Sequence, residues 1–258
     1  MHPLLNIAIK AARAAGKMIV RAEDEVKSLT IIEKGKHDYA SQVDKIAEEI
    51  IIDIIRKNYP RHKILAEESG LLERAHSEDI TWIIDPLDGT TNFLHGLPQY
   101  CVSIAVQQFG KIQHGVVYDP NRDELFSASR GGGAQLNGKR IRVSSTLKLD
   151  RALIGTGFPF REFHNLDKYL SFFRKLLPEC SGVRRAGAAA LDLAYVAAGR
   201  LDGFFEYDLK PWDIAAGSLL ILEAGGWISD LHSEKDCMET GNVLAATPKI
   251  FPILKEML

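Results

Sequence analysis

Two carboxylates, Asp85 and Asp88, stand close together in the segment Trp82-Ile83-Ile84-Asp85-Pro86-Leu87-Asp88-Gly89-Thr90-Thr91-Asn92-Phe93. Proline disfavours the helical region for the residue before it, so Pro86 is expected to hold Asp85 extended and to end a strand there. Asp85 would then sit at a strand tip facing a crevice, with Asp88 returning within reach of the same ion. Two hard oxygen ligands of this kind suit magnesium. Gly89 permits a turn that a side chain would obstruct, and Thr90 with Thr91 can start a helix whose free N–H groups face an anion. A cation site beside an anion site is the arrangement phosphate chemistry needs. Read alone, an Asp-x-x-Asp-Gly run is also a common surface turn.

Other candidate ligands lie far off in the chain. In Leu65-Ala66-Glu67-Glu68-Ser69-Gly70, following an expected strand, one of the paired glutamates can point inward while its neighbour faces water. Asp213, in Leu209-Lys210-Pro211-Trp212-Asp213-Ile214-Ala215-Ala216-Gly217, stands at a helix start, where an aspartate is equally suited to be an N-cap. Asp44 follows Ser41 at capping-pair spacing, which offers it a purely structural role. The Arg130-Gly131-Gly132-Gly133 loop lacks the Gly-Lys-Ser/Thr of a phosphate cradle and reads as a glycine-rich connection.

The Trp82–Phe93 string, the Trp212-Asp213 segment and Gly225-Gly226 together resemble the signatures of the inositol monophosphatase family, and the likeness runs along practically the whole chain. It is nearest to the bacterial SuhB-type branch, through Ala186-Gly187-Ala188-Ala189-Ala190-Leu191-Asp192-Leu193-Ala194-Tyr195. The resemblance implies a layered αβαβα sandwich, α+β and α/β in texture. It also implies a magnesium-dependent, lithium-sensitive phosphomonoesterase acting on myo-inositol 1-phosphate and related esters. It selects Glu67 from the glutamate pair, leaving Glu68 solvated. Glu67, Asp85 and the Leu87 carbonyl would hold one ion and Asp85, Asp88 and Asp213 a second, with two or three Mg2+ in all. Glu67 and Thr90 would position the attacking water, and Asp44 would orient Thr90. Gly89 and Thr90 amides would bind phosphate, while Asp88, Ala189 and Glu206 would contact the inositol hydroxyls. Around Gly155-Thr156-Gly157-Phe158-Pro159-Phe160 the sequence departs from the more polar animal enzymes, and Arg184 and Arg185 offer charge for an anionic group or an interface.

Homodimers are usual in the family. The bacterial branch includes proteins acting in ribosomal RNA transcription antitermination, so a binding role with the transcription elongation machinery is the competing expectation. A third is a related phosphatase for fructose bisphosphate or nucleotides.

The elements that must carry these residues follow from periodicity. Leu4, Leu5, Ala8, Ala11, Ala12, Ala15, Met18 and Ile19 recur at helical spacing. A second helix is expected over Ser41 to Ile55, with Ile46, Ile50, Ile51, Ile54 and Ile55 as its buried stripe. From Ile64 an antiparallel meander is expected, with strands at 63–66, 82–84, 102–109, 112–117 and 124–128. Beyond about Asp150 strands and helices alternate, ending in a helix over Pro248 to Met257. Two packed subdomains, 1–145 and 146–258, are expected, the first carrying most ligands and the second Glu206 and Asp213.

The 258 residues are 46% hydrophobic and 26% charged, a globular composition, and the net charge of -2 gives no electrostatic reason to expect a nucleic-acid surface or a polybasic membrane anchor. Cys101, Cys180 and Cys237 suit neither a disulfide framework nor a thiolate zinc site. With no leader-like or membrane-spanning stretch in this reading, the expected compartment is the cytoplasm.

Overall fold

Leu4, Leu5, Ala8, Ala11, Ala12, Ala15 and Ile19 line one buried face of α1 (Pro3–Ala22). The computed structural model describes residues 2–23, 31–35, 38–73, 79–158 and 163–258, with the backbone alone over 31–35 and 38–41. After β1 (Ile31–Gly35) and β2 (Asp38–Ser41) comes α2 (Gln42–Asn58). Its buried face is Val43, Asp44, Ala47, Glu48, Ile51, Ile52 and Ile55, while Ile46 is 45% exposed. The expected isoleucine stripe is thus rotated by part of a turn. The helix turns Asp44 and Glu48 inward because both carboxylates find donors there. The Ser41–Asp44 capping pair involves the Ser41 side chain and lies outside the described residues.

The larger sheet follows with β3 (Lys63–Ala66), β4 (Gly70–Leu72) and β5 (Ile80–Asp88), then the short α3 (Thr90–Leu94). It continues through β6 (Cys101–Gln108), β7 (Lys111–Asp119), β8 (Glu124–Ser129), β9 (Gly133–Leu136) and β10 (Lys139–Arg140). The spatial order is β10-β9-β8-β7-β6-β5-β3-β4. From β5 to β10 the strands form the expected antiparallel meander, whereas β3 runs parallel to β5. Phe109 and Gly110, at φ 50° and 73°, make the left-handed tight turn between β6 and β7. The glycine-rich connection from β8 to β9 is a turn whose Gly131 and Gly133 amides both donate to the Glu223 carboxylate at 2.7 Å.

The second sheet is built from β11 (Leu153–Thr156), α4 (Leu166–Leu176), β12 (Gly182–Arg184), α5 (Ala189–Ala197) and β13 (Gly203–Glu206). It is completed by α6 (Pro211–Ala224), β14 (Trp227–Asp230), α7 (Cys237–Thr240), β15 (Val243–Ala246) and α8 (Ile250–Met257). Its order is β12-β11-β13-β15-β14, with β12 and β13 parallel to β11 and β15 antiparallel to its neighbours.

Three cores hold five layers together, the middle one spanning both faces of the α5–α6 layer. Ile19, Ile51, Trp82 and Ile104 pack between the first two helices and the larger sheet. Ala105, Leu191, Leu219 and Phe204 pack where α5 and α6 lie between the two sheets. Ile154, Phe172, Phe205 and Leu254 close the outer face of the smaller sheet under α4 and α8. The alternation of β13 sends Phe204 to the middle core and Phe205 to the outer one. Helices α5 and α6 are apolar nearly all round because both sides face a sheet. This is the αβαβα sandwich. Among the described residues no helix is long and apolar enough to cross a membrane.

Candidate active site

β5 does not stop at Pro86. Its pairing with β6 sets Asp85 opposite Ser103 and Asp88 opposite Cys101, so one extra residue bulges between them. The bulge has a chemical consequence, since residues three apart on a regular strand point to opposite faces. Ile84 faces the α1–α2 core, as does Leu87 within the bulge, which leaves Asp85 and Asp88 both directed toward α5 and α6. The expected strand end at Pro86 is therefore corrected to a bulge, which accommodates a residue with no N–H to give.

Register brings in the next carboxylate. Parallel β3 and β5 pair Ala66 with Ile84, and the Glu67 amide continues the ladder by donating to the Ile84 carbonyl at 3.2 Å. Glu67 is thereby the register neighbour of Asp85. Its loop is clamped from α2, where the Glu48 carboxylate accepts the Glu68 amide at 2.8 Å and the Ser69 hydroxyl. Glu68 is half-buried rather than solvated. Glu48 was not among the expected residues, yet the sequence carried a signal: it falls one turn from Asp44, on the helix face shared with Val43, Ala47 and Ile51.

Asp213 enters from the second half of the chain. It lies in the first turn of α6 rather than at the N-cap, and accepts the Lys210 amide at 2.7 Å. Carboxylate oxygens of Asp85, Asp88 and Asp213 all lie within 4.8 Å of one another. The Asp88 carboxylate also receives the Ala190 amide at 2.7 Å, with Ala189 beside it, at the start of α5. Thr90 completes the group: its hydroxyl is 3.0 Å from the Leu87 carbonyl and 3.1 Å from Asp44 Oδ1, within reach of both acceptors. Gly89 precedes α3 at φ 98°, and a Cβ there would lie 2.8 Å from the Gln99 carbonyl, so only glycine fits.

A cleft of about 670 Å³ opens onto these groups, with Glu67, Asp85, Asp213 and Glu206 on its walls and Arg185 and Lys210 at its margin. Burial, then Glu67, Asp88 and Asp213, push the Asp85 carboxyl well above its usual range. Burial and Asp213 raise Asp88 to about 7, against the lowering effect of the α5 amides. Glu206, at the end of β13, is raised by burial, Asp213 and Asp192, while Arg185 lowers it. Buried Asp192 is likewise raised, by burial and Asp88, and lowered by Arg185. It is a further acidic residue that sequence reading left inside an apolar helix. Arg184, on β12, and Arg185 are both exposed, and Arg185 lies over the Phe158 ring at 5.5 Å. Of the Gly155–Phe160 segment, Pro159 and Phe160 lie outside the described residues.

The sequence profile of the inositol monophosphatase family matches residues 1–257. The chain belongs to this family. Within it, the chain is 51% identical over 257 residues to Nus factor SuhB of Pseudomonas aeruginosa, covering 98% of this chain and 95% of that one. The extragenic suppressor protein suhB of Bartonella henselae, a crystal structure, is 44% identical, superimposes with a TM-score of 0.96, and is covered to 98% with 99% of this chain. Inositol monophosphatase from Anabaena is 40% identical at a TM-score of 0.85, covering 98% of this chain and 94% of that structure. Inositol monophosphatases typically use Mg2+, and the donor set here fits a hard divalent cation. All the clustered atoms are carboxylate oxygens; burial first, and repulsion by neighbouring carboxylates second, raise Asp85 and Asp88, and a bound cation offsets both.

Proposed function

We propose that this chain is a magnesium-dependent phosphomonoesterase that hydrolyses myo-inositol 1-phosphate and related phosphate monoesters to the alcohol and inorganic phosphate. The observation that carries the reading is the convergence of Asp85, Asp88 and Asp213 oxygens within 4.8 Å, beside Glu67 and at the floor of a cleft.

In this reading Glu67, Asp85 and the Leu87 carbonyl would hold one Mg2+ and Asp85, Asp88 and Asp213 a second, with room in the scheme for a third. Bound magnesium supplies acidification of a water and neutralisation of the phosphoryl and leaving-group oxygens. Glu67 and Thr90 orient that water, and Asp44 fixes the Thr90 hydroxyl from behind. The Gly89 and Thr90 amides receive phosphate oxygens as preorganised donors. Asp88, Ala189 and Glu206 accept or direct the inositol hydroxyls. The two halves, 1–145 and 146–258, divide the work: the first brings water and most of the ligands, and the second brings Glu206 and Asp213.

Turnover of a panel of phosphate monoesters, with magnesium and after chelation, tests the reading. Magnesium-dependent release of phosphate with inositol 1-phosphate among the better substrates is expected. Absence of such hydrolysis from well-folded protein would refute it.

A second reading, compatible with the first, is a binding role in the transcription elongation machinery as a homodimer in the cytoplasm. Its support is the 51% identity to a protein named as a Nus factor. Co-purification with RNA polymerase and its elongation factors, and the mass in solution by sedimentation, test the partner and the dimer separately.

A further inference from the structure

Most glycines near the cleft have an evident reason to be glycine, but Gly157 does not share it. Gly89 and Gly187 have φ values of 98° and 89°, where side chains are strained. The Gly157 backbone lies outside the left-handed region, so its conformation admits any residue. What excludes a side chain there is a contact: a Cβ on Gly157 would sit 1.9 Å from Glu206 Oε1, 2.0 Å from its Cδ and 2.2 Å from Oε2. These three nearest atoms all belong to one carboxyl group.

Register explains the contact. Parallel β11 and β13 pair Thr156 with Phe205, which makes Gly157 and Glu206 the next pair along the ladder. Paired residues on parallel strands send their side chains to the same face. The Glu206 carboxyl bends over the strand end and fills the volume that a side chain at 157 would take. The Thr156 hydroxyl, donating to the Phe205 carbonyl at 2.9 Å, ties the two strands together just before this point.

We propose that Gly157 is the positioning residue for Glu206: its missing side chain is the socket that holds the Glu206 carboxylate at the cleft wall. The inference rests on the proposal that Glu206 meets the substrate hydroxyls. A methyl group at 157 drives the carboxylate out of the socket, either toward Asp213, which repels it, or into the space the substrate needs. Because the obstructing atoms are the far end of a side chain, the fold accommodates the methyl while the carboxylate moves.

The test is a cycle of Gly157→Ala, Glu206→Gln and the double variant. It is read as kcat/KM on inositol 1-phosphate and on p-nitrophenyl phosphate, with thermal melts to show that each folds. Gly157→Ala is expected to reproduce the Glu206→Gln loss, about tenfold on inositol 1-phosphate and smaller on p-nitrophenyl phosphate, and the double variant to be no worse than either. Gly157→Ala with Glu206→Asp, whose shorter side chain leaves room for the methyl, should recover activity relative to Gly157→Ala alone. If Glu206→Gln is selective but Gly157→Ala is not, the socket is overturned and the reading of Glu206 stands. If Glu206→Gln affects both substrates equally, the reading of Glu206 falls. The socket is then judged by whether Gly157→Ala gives that same loss without additivity. Additive losses overturn it in either case.

Discussion

Asp88 Oδ2 accepts the Ala190 amide at 2.7 Å, so a carboxylate from the end of β5 caps a helix more than a hundred residues later. The N-cap position of α5 is Ala188, which has no side-chain acceptor to offer. One residue therefore serves both the acidic cluster and the packing of the middle layer. Asp88→Asn keeps an acceptor and removes the charge, and is expected to melt at or above the native temperature while losing hydrolysis. Asp88→Ala removes both and should cost about 1 kcal/mol of the cap in addition. Melts of the two variants in chelator, set beside their turnover, check this.

Without cations, the raised Asp85 and Asp88 make stability fall as pH rises. A carboxyl whose folded pKa lies above its unfolded value holds its proton longer in the native state. The benefit is complete below the unfolded pKa of about 4 and is lost as pH climbs through the folded one, which for Asp88 is about 7. The melting temperature in chelator should therefore decline between about pH 4 and 7. Added magnesium should reverse the decline at neutral pH, by mass action on the native state. Asp85→Asn should flatten the decline and abolish both the magnesium response and hydrolysis. A chelated native protein whose stability is level over this range would contradict it.

Glu206→Gln should impair turnover of inositol 1-phosphate more than that of a small ester lacking ring hydroxyls. A carboxylate accepting a hydroxyl contributes roughly 1.5–3 kcal/mol, about tenfold or more in rate. The clustered aspartates, held by other elements, should keep their magnesium response. Parallel kinetics on the two substrates decide it, and an equal loss on both would move inositol specificity elsewhere.

Gly217 brings α6 against α5, since a Cβ there would lie 2.6 Å from Leu193 Cβ. Gly217→Ala overpacks this contact and is expected to cost roughly 1–3 kcal/mol. Asp213 lies one turn away on the same helix, so a higher magnesium requirement should accompany the loss. Denaturant melts and a magnesium titration of activity measure the two effects.

Behind the cleft wall, where its carboxylate holds the cleft-lining Thr240, Asp230 governs the acid limb. Burial pushes its carboxyl up, but the Thr240 hydroxyl and the Ser233 and His232 amides, at 2.6, 2.5 and 2.8 Å, outweigh burial and hold it down at about 2. A depressed carboxyl contributes stability above its unfolded pKa of about 3.9 and loses it as pH falls toward 2. That contribution is roughly 2 kcal/mol, from a shift of nearly two pH units. Asp230→Asn should lower stability at neutral pH and make the fall between about pH 4 and 2 shallower.

Much of this protein is local information. Apolar spacing over Leu4–Ile19 is enough for α1, and β-rich runs parted by Gly110 and Gly131–Gly133 are enough for the meander. The Asp85–Thr90 string carries the hard oxygen donors and the tight glycine turn in six residues, and these are visible without a structure. What tertiary structure alone decided is which way side chains face. Helical spacing made Ile46 as good a core residue as Asp44, until donors on Thr90, Glu68 and Ser69 drew the acidic face inward. Proline rules ended β5 at Pro86, yet pairing with β6 carried it on through a bulge, and only that extra residue puts Asp85 and Asp88 on one face. Asp213 could equally have been a surface cap; it became part of the cluster because α6 lies between two sheets. Residue type and short-range periodicity are properties of neighbours in the chain. Register, strand phase and the meeting of β3, β5 and α6 come from partners far away in sequence, whose hydrogen bonds and burial are settled together only when the layers close.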